Sequence, residues 1–466
     1  MTNYLARNQF AITVIYHFLF VPVTIGLGFL VAILQTVWHR TDNPDYKRMT
    51  RFFGTLLLIN IAIGVVTGLL MEFQFGMNWS TYSRFVGGVF GAPLALESLA
   101  AFFLESTFIG LWLFGWDRLP KRVHLATIWA VAIGSLLSAM FILMANSWMQ
   151  HPVGYKLEHG QAQLSNVWAL FVNPTFLWGY AHVILASLVT GSLVMLAVSA
   201  WYLRKREHID SFRRTAAVAL AVLIPAIAIQ ISVGNKLGQI ETTYQPMKIA
   251  AAEAQWNSCK PCSFSAAQVG GFGQSHQNPT KIIKIPRLLS VLATGTTTGP
   301  VTGLNQLQAQ YRAKYGPGNY IPNVAIQYWS MRTMAVLGVL VLLLALWGGW
   351  ALVRGTIARS RVFLLVATWA VITPFLMNTA GWLLTESGRQ PWIVQGLQKT
   401  VTANSPSVSA TEIWISLSAL IVTYVVLGAV DVTLMLRYSR RGLAQADAEA
   451  AEPAAGAGTP VPALTY

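Results

Sequence analysis

The feature that most constrains this chain is a succession of long apolar stretches, nine in all, separated by short charged or Pro/Gly-rich breaks. A stretch of roughly 20 apolar residues spans a bilayer only as a helix, because an unpaired backbone N–H or C=O is prohibitively costly in hydrocarbon. Composition agrees: with 54% hydrophobic and 11% charged residues, a chain of 466 residues cannot cover itself with an ordinary water-facing surface. No succession of ~10-residue alternating segments argues for a barrel. The expected fold is an all-α integral membrane protein.

The spans are expected near 11–37, 52–76, 92–116, 123–147, 176–203, 215–234, 325–353, 362–385 and 411–436. Loops after the odd-numbered spans are rich in Lys and Arg, as in Arg204, Lys205, Arg206, Arg213 and Arg214, whereas the opposite short loops hold little beyond Arg84, Lys156, Arg389 and Lys399. The positive-inside rule then puts the N-terminus outside and the C-terminus in the cytoplasm, which an odd number of spans satisfies. The chain divides into spans one to six (1–234), an extracytoplasmic segment (235–324), spans seven to nine (325–442) and an Ala/Pro/Gly-rich tail (443–466) expected to be disordered. The net charge of +15 resides in the short loops, where orientation explains it, and nucleic acid is not an expected partner.

Ionisable side chains inside a membrane are costly and usually functional. Of eight histidines only His17 and His182 fall within apolar spans. Glu97 and Glu105 lie in the third span, Glu386 closes the eighth, and Arg332 and Met334 begin the seventh. With the orientation above, these groups share one leaflet, as expected of a cofactor layer. His, Met and carboxylate are all available as axial haem ligands, and no C-x-x-C-H motif for covalent attachment occurs. Glu97 and Glu105 are eight residues apart, which in an uninterrupted helix separates them by roughly 12 Å and 80°. Cys259 and Cys262 in SCKPC have no second pair to complete a four-thiolate zinc site, and an outside location permits a disulfide.

Several long pieces in order, among them QFAITVIYHFLFVP, FGAPLALESLAAFFLESTFIGLWLFGWDRL, ANSWMQHP, YWSMRTM and GWLLTESGRQPW, resemble subunit I of the cytochrome bd family of quinol oxidases over nearly the whole chain. The resemblance implies His182 and Met334 as axial ligands of a low-spin haem b, with Arg332 facing its propionates. It implies His17 and Glu386 as ligands of a high-spin haem b and a haem d, without saying which serves which. Glu97 would be a further carboxylate near haem d, and Arg7, Arg389 and Trp392 would support the site. Glu105, Ser106 and Ser138 would form the proton route, and Lys248 and Glu253, in a short version of the family's loop, would bind quinol, either ubiquinol or menaquinol.

The implied activity is oxidation of membrane quinol at the outer face and reduction of O2 to water, building proton motive force without pumping. The implied setting is the bacterial plasma membrane, with a membrane-embedded subunit II and small accessory subunits as partners. Two other readings compete. A b-haem quinol dehydrogenase that does not react with O2 needs paired histidines and no high-spin site, against His17 with Glu386. A secondary transporter needs internal repeats, and none is found.

Overall fold

The computed structural model describes residues 1–273 and 279–443, so the tail expected to be disordered lies, apart from Leu443, outside the described residues. Among the described residues nine helical segments are long and apolar enough to cross a membrane: Thr2–Thr41, Pro44–Met77, Ser80–Phe114, Lys121–Gln150, Pro174–Lys205, Ile209–Tyr244, Val324–Val353, Arg361–Gly388 and Ala410–Arg440. They are numbered here as spans one to nine.

Three spans are interrupted, each for a local reason. Span one consists of helices Thr2–His17 and Val21–Thr41, the second opening with Pro22 in its first turn. It begins nine residues before the expected residue 11, because Asn3, Arg7, Asn8 and Gln9 dilute the hydropathy of a turn that nonetheless buries Leu5, Ala6 and Gln9. Span three carries Pro93, which cannot donate to the carbonyl four residues back, and passes at Glu97–Phe102 into a π-helical turn before resuming at Phe103. Span eight has a 3-10 turn at Ala370–Ile372 followed by Pro374. Span six runs on to Tyr244, past the expected 234, since its last turns leave the apolar layer while staying helical.

The main core lies between spans one, two, five and six and includes Leu27, Leu30, Phe53, Leu193 and Phe212. Spans one and five cross almost backbone to backbone. A Cβ at Gly26 would lie 1.9 Å from the Ser187 carbonyl oxygen, so only glycine is tolerated there.

Alternation of the crossings puts residues 151–173, 245–323 and 389–409 at the same end of the bundle. The middle segment folds on its own small core of Trp256, Leu304, Leu307 and Tyr320, which also takes in Tyr328 of span seven and Trp392. It contains a short helix Pro246–Ala252, an antiparallel hairpin of Phe264–Val269 with Thr280–Ile285, and a disulfide between Cys259 and Cys262.

Candidate functional site

A cavity of about 890 Å³ opens among spans one, two, three, four and eight, at the upper end of the ~300–1,000 Å³ range of small-molecule sites. His17, Glu97, Glu105, Ser138, Glu386, Arg389 and Arg7 all line it. Three of the candidate ligands arrive there at a local irregularity or a helix end, whereas Arg7 and Ser138 project from helix interiors. His17 is the last residue before the break in span one, Glu97 begins the π turn, and Glu386 occupies the final turn of span eight. The π turn interrupts the regular 100° step, so the 80° offset expected between Glu97 and Glu105 does not apply, yet both carboxylates face the cavity.

The His17 ring is held by one nitrogen. Thr67 Oγ1 donates its single hydrogen to the Gly64 carbonyl at 2.9 Å, so at 3.0 Å it must accept from His17 Nδ1. Nε2 is then the nitrogen with the free lone pair, the tautomer a metal ligand requires. The ring lies against Gly68, where an added Cβ would come within 3.1 Å of Cε1. Ser138 Oγ donates to Glu97 Oε1 at 2.6 Å, and Ser135 Oγ to Glu105 Oε1 at 2.7 Å.

Ser106 is exposed and donates to the Phe103 carbonyl of its own helix at 3.2 Å, so it is not brought to the cavity with Ser138. The hydroxyl partner of Glu105 is Ser135. Sequence reasoning missed it, although Ser135 and Ser138 share a helix face at i,i+3.

Glu386 accepts from Asn146 Nδ2 at 2.8 Å on one oxygen and from Arg389 Nη2 on the other. Arg389 is 6% exposed, and its Nε and Nη1 have no partner among the described residues. A buried guanidinium with donors left over is arranged to receive an anionic group.

His182 and Met334 do not line the cavity. Both His182 ring nitrogens are 3.2 Å from Gln230 Nε2, and the ring rests on span six at Gly234, where a Cβ would approach Cε1 to 3.1 Å. The sulfur of Met334 faces Gly381 of span eight. The small residues opposite let both side chains approach the neighbouring helices closely, and Gln230 Oε1 has no partner among the described residues.

The remaining groups gather where the 245–323 segment meets spans seven and eight. Every N–H of the Arg332 guanidinium has an acceptor: Glu253, the Ser265 carbonyl and the Ala252 carbonyl. The Glu253 contact is 2.7 Å, and the guanidinium stacks on Tyr328. In this arrangement no guanidinium N–H is left over within the protein. Nor are Lys248 and Glu253 partners of each other. Lys248 Nζ pairs with Glu241 at 2.8 Å and donates to Gln150 Oε1 at 2.7 Å.

Burial pulls the Lys248 ammonium below the usual lysine range, with Glu241 opposing it. Burial likewise raises the Glu253 carboxyl, with Arg332 opposing it. Trp392 is brought together with the aromatic residues of the 245–323 segment. It stacks on Tyr320 at 5.7 Å and packs edge-on against Tyr315, inside the core of the extramembrane segment.

The chain matches the family model described as cytochrome bd terminal oxidase subunit I over residues 5–443. It is 44% identical over 440 residues to cytochrome bd ubiquinol oxidase subunit 1 of Bacillus subtilis, covering 94% of this chain and 93% of that one. It is 37% identical to cytochrome bd-II ubiquinol oxidase subunit 1 of Escherichia coli, covering 94% and 96%. Among solved structures it resembles the bd oxidase from Geobacillus thermodenitrificans with a TM-score of 0.86 at 28% identity, covering 95% of this chain and 99% of that one.

Proposed function

Because the chain belongs to the cytochrome bd terminal oxidase subunit I family, we propose that it oxidises membrane quinol beside its 245–323 segment and reduces O2 to water at the His17–Glu97–Glu386 cavity. It is a multi-pass protein of the bacterial membrane and a quinol oxidase enzyme. Haem, when bound, supplies the one-electron and O2 chemistry that no side chain can perform.

In the finer reading His182 and Met334 hold a low-spin haem b, and His17 and Glu386 hold the two high-spin groups, one haem b and one haem d. The convergence of a histidine with a free Nε2, several carboxylates and an under-satisfied Arg389 on one cavity carries this reading. The orphaned Arg389 donors suit a propionate, and the carboxylates suit a cationic iron in a layer where bare charge is costly.

At the quinol side Glu253 accepts a hydroxyl proton from ubiquinol or menaquinol while Arg332 holds the carboxylate in place, and Lys248 ties the segment down. Glu105, steadied by Ser135, delivers protons to the cavity, and Glu97, steadied by Ser138, would offer its carboxylate to a haem held there. Basic loops at the far end support an outside location for the 245–323 segment. Quinol protons are therefore released outside and cavity protons are drawn from the cytoplasm, which builds a potential without a pump. A membrane-embedded subunit II and small accessory chains complete the oxidase.

A reduced-minus-oxidised spectrum of the purified oxidase tests the reading. High-spin bands are expected beside one low-spin b band, with His17→Ala and Glu386→Ala each removing a different high-spin component. A colourless protein, or two variants with unaltered bands, contradicts it.

A further inference from the structure

A chain of side chains joins the extramembrane segment to the cavity. Lys248 Nζ donates to Gln150 Oε1 at 2.7 Å, Gln150 Nε2 donates to Asn146 Oδ1 at 2.8 Å, and Asn146 Nδ2 donates to Glu386 Oε1 at 2.8 Å. Its polarity is chemically imposed. An ammonium can only donate and a carboxylate paired with arginine can only accept, so each amide between them has a single satisfying orientation. Aligned bonds of this kind polarise and reinforce one another in a buried setting.

Two further contacts tighten the junction. Gln150 is the last residue of span four, one turn beyond Asn146, and its carbonyl accepts from Gln245 Nε2 at 2.8 Å, immediately before the short helix Pro246–Ala252. The Lys248 stem lies across Gly388 so closely that an added Cβ would meet Lys248 Cγ at 2.5 Å. Lys248 and Gln150 are 3% and 5% exposed, so water does not replace these bonds readily.

We propose that Gln150 is a positioning residue that locks the helix Pro246–Ala252 to the Glu386 carboxylate, making the seating of the extramembrane segment and the orientation of Glu386 one structural variable. The link rests on geometry. Its meaning, a quinol-side element coupled to a haem-side carboxylate, rests on the function proposed above.

Hydrogen exchange on the purified oxidase tests it. Gln150→Leu is expected to accelerate amide exchange about tenfold or more in both 246–253 and 384–390, with the low-spin haem band unchanged. Gln150→Glu retains an acceptor for Lys248 and loses the donor to Asn146, so it restores protection of 246–253 and not of 384–390. Unchanged exchange in either segment of Gln150→Leu overturns the link, as does recovery of both segments by Gln150→Glu. If Gln150→Leu does not assemble, Lys248→Met breaks the same chain from the loop side with span four intact, and it must loosen 384–390 as well as 246–253. The haem bands of Glu386→Ala test the haem assignment separately: their full retention removes that assignment and leaves the exchange result of the Gln150 variants to decide the link.

Discussion

Arg332→Met is the most informative single perturbation of the extramembrane segment. The guanidinium and Glu253 side chains are 5% and 4% exposed, and the same guanidinium holds the carbonyls of Ala252 and Ser265, residues that flank the disulfide loop. Removing one partner of such a pair leaves a buried carboxylate and two carbonyls without donors, which costs about 3–5 kcal/mol. At ~1.4 kcal/mol per factor of ten, the undocked segment becomes roughly 100- to 5,000-fold more populated. Cleavage of the transiently opened form follows that population, so limited proteolysis within 254–264 should accelerate by a comparable factor. Arg332→Met with Glu253→Leu removes both charges and should restore part of the resistance, since the buried carboxylate is gone while the Ala252 and Ser265 carbonyls still lack their donor. Quinol oxidation should stay lost in the double variant, because the proposed base is gone. The reasoning is refuted if the single variant is cleaved no faster than the double one.

Three further outcomes follow from the site. Met334→Leu and His182→Ala should each abolish the low-spin haem band and quinol oxidation, and an unaltered low-spin spectrum in both removes that ligand pair. Glu105→Leu should stop turnover while quinol still reduces the low-spin haem, with Ser135→Ala slowing turnover and Ser106→Ala leaving it near normal; oxygen consumption at the normal rate in Glu105→Leu with full haem content speaks against the role. Because burial raises the Glu253 carboxyl and quinol deprotonation needs its ionised form, activity should fall as pH drops through a value above the ordinary glutamate range. A pH profile of quinol oxidation should show that acid limb, and its persistence in the residual activity of Glu253→Gln would assign it elsewhere.

Much of this protein is legible in the residue order alone. Transfer of a side chain into hydrocarbon is a local, additive cost, so nine spans, the positions of His17, Glu97, Glu105, His182 and Glu386 within or beside them, and the extramembrane segment can be read without coordinates. Span ends are less legible, because burial against protein substitutes for lipid: the polar start at Thr2 and the extension to Tyr244 carry little hydropathy signal.

Pairing is decided by tertiary structure. Lys248 and Glu253 are neighbours in sequence and both buried, yet each finds a closer counter-charge on a different element, Glu241 at the end of span six and Arg332 in span seven. Ser135 rather than Ser106 reaches Glu105, because helix phase and the π turn determine which hydroxyl faces the cavity. Asn146 and Gln150 look like ordinary polar residues near a helix end, and acquire partners only when spans four and eight and residues 245–252 are brought together. Insertion depends on each segment's own composition, whereas a buried ion pair or hydrogen bond depends on distances between segments that no local pattern encodes.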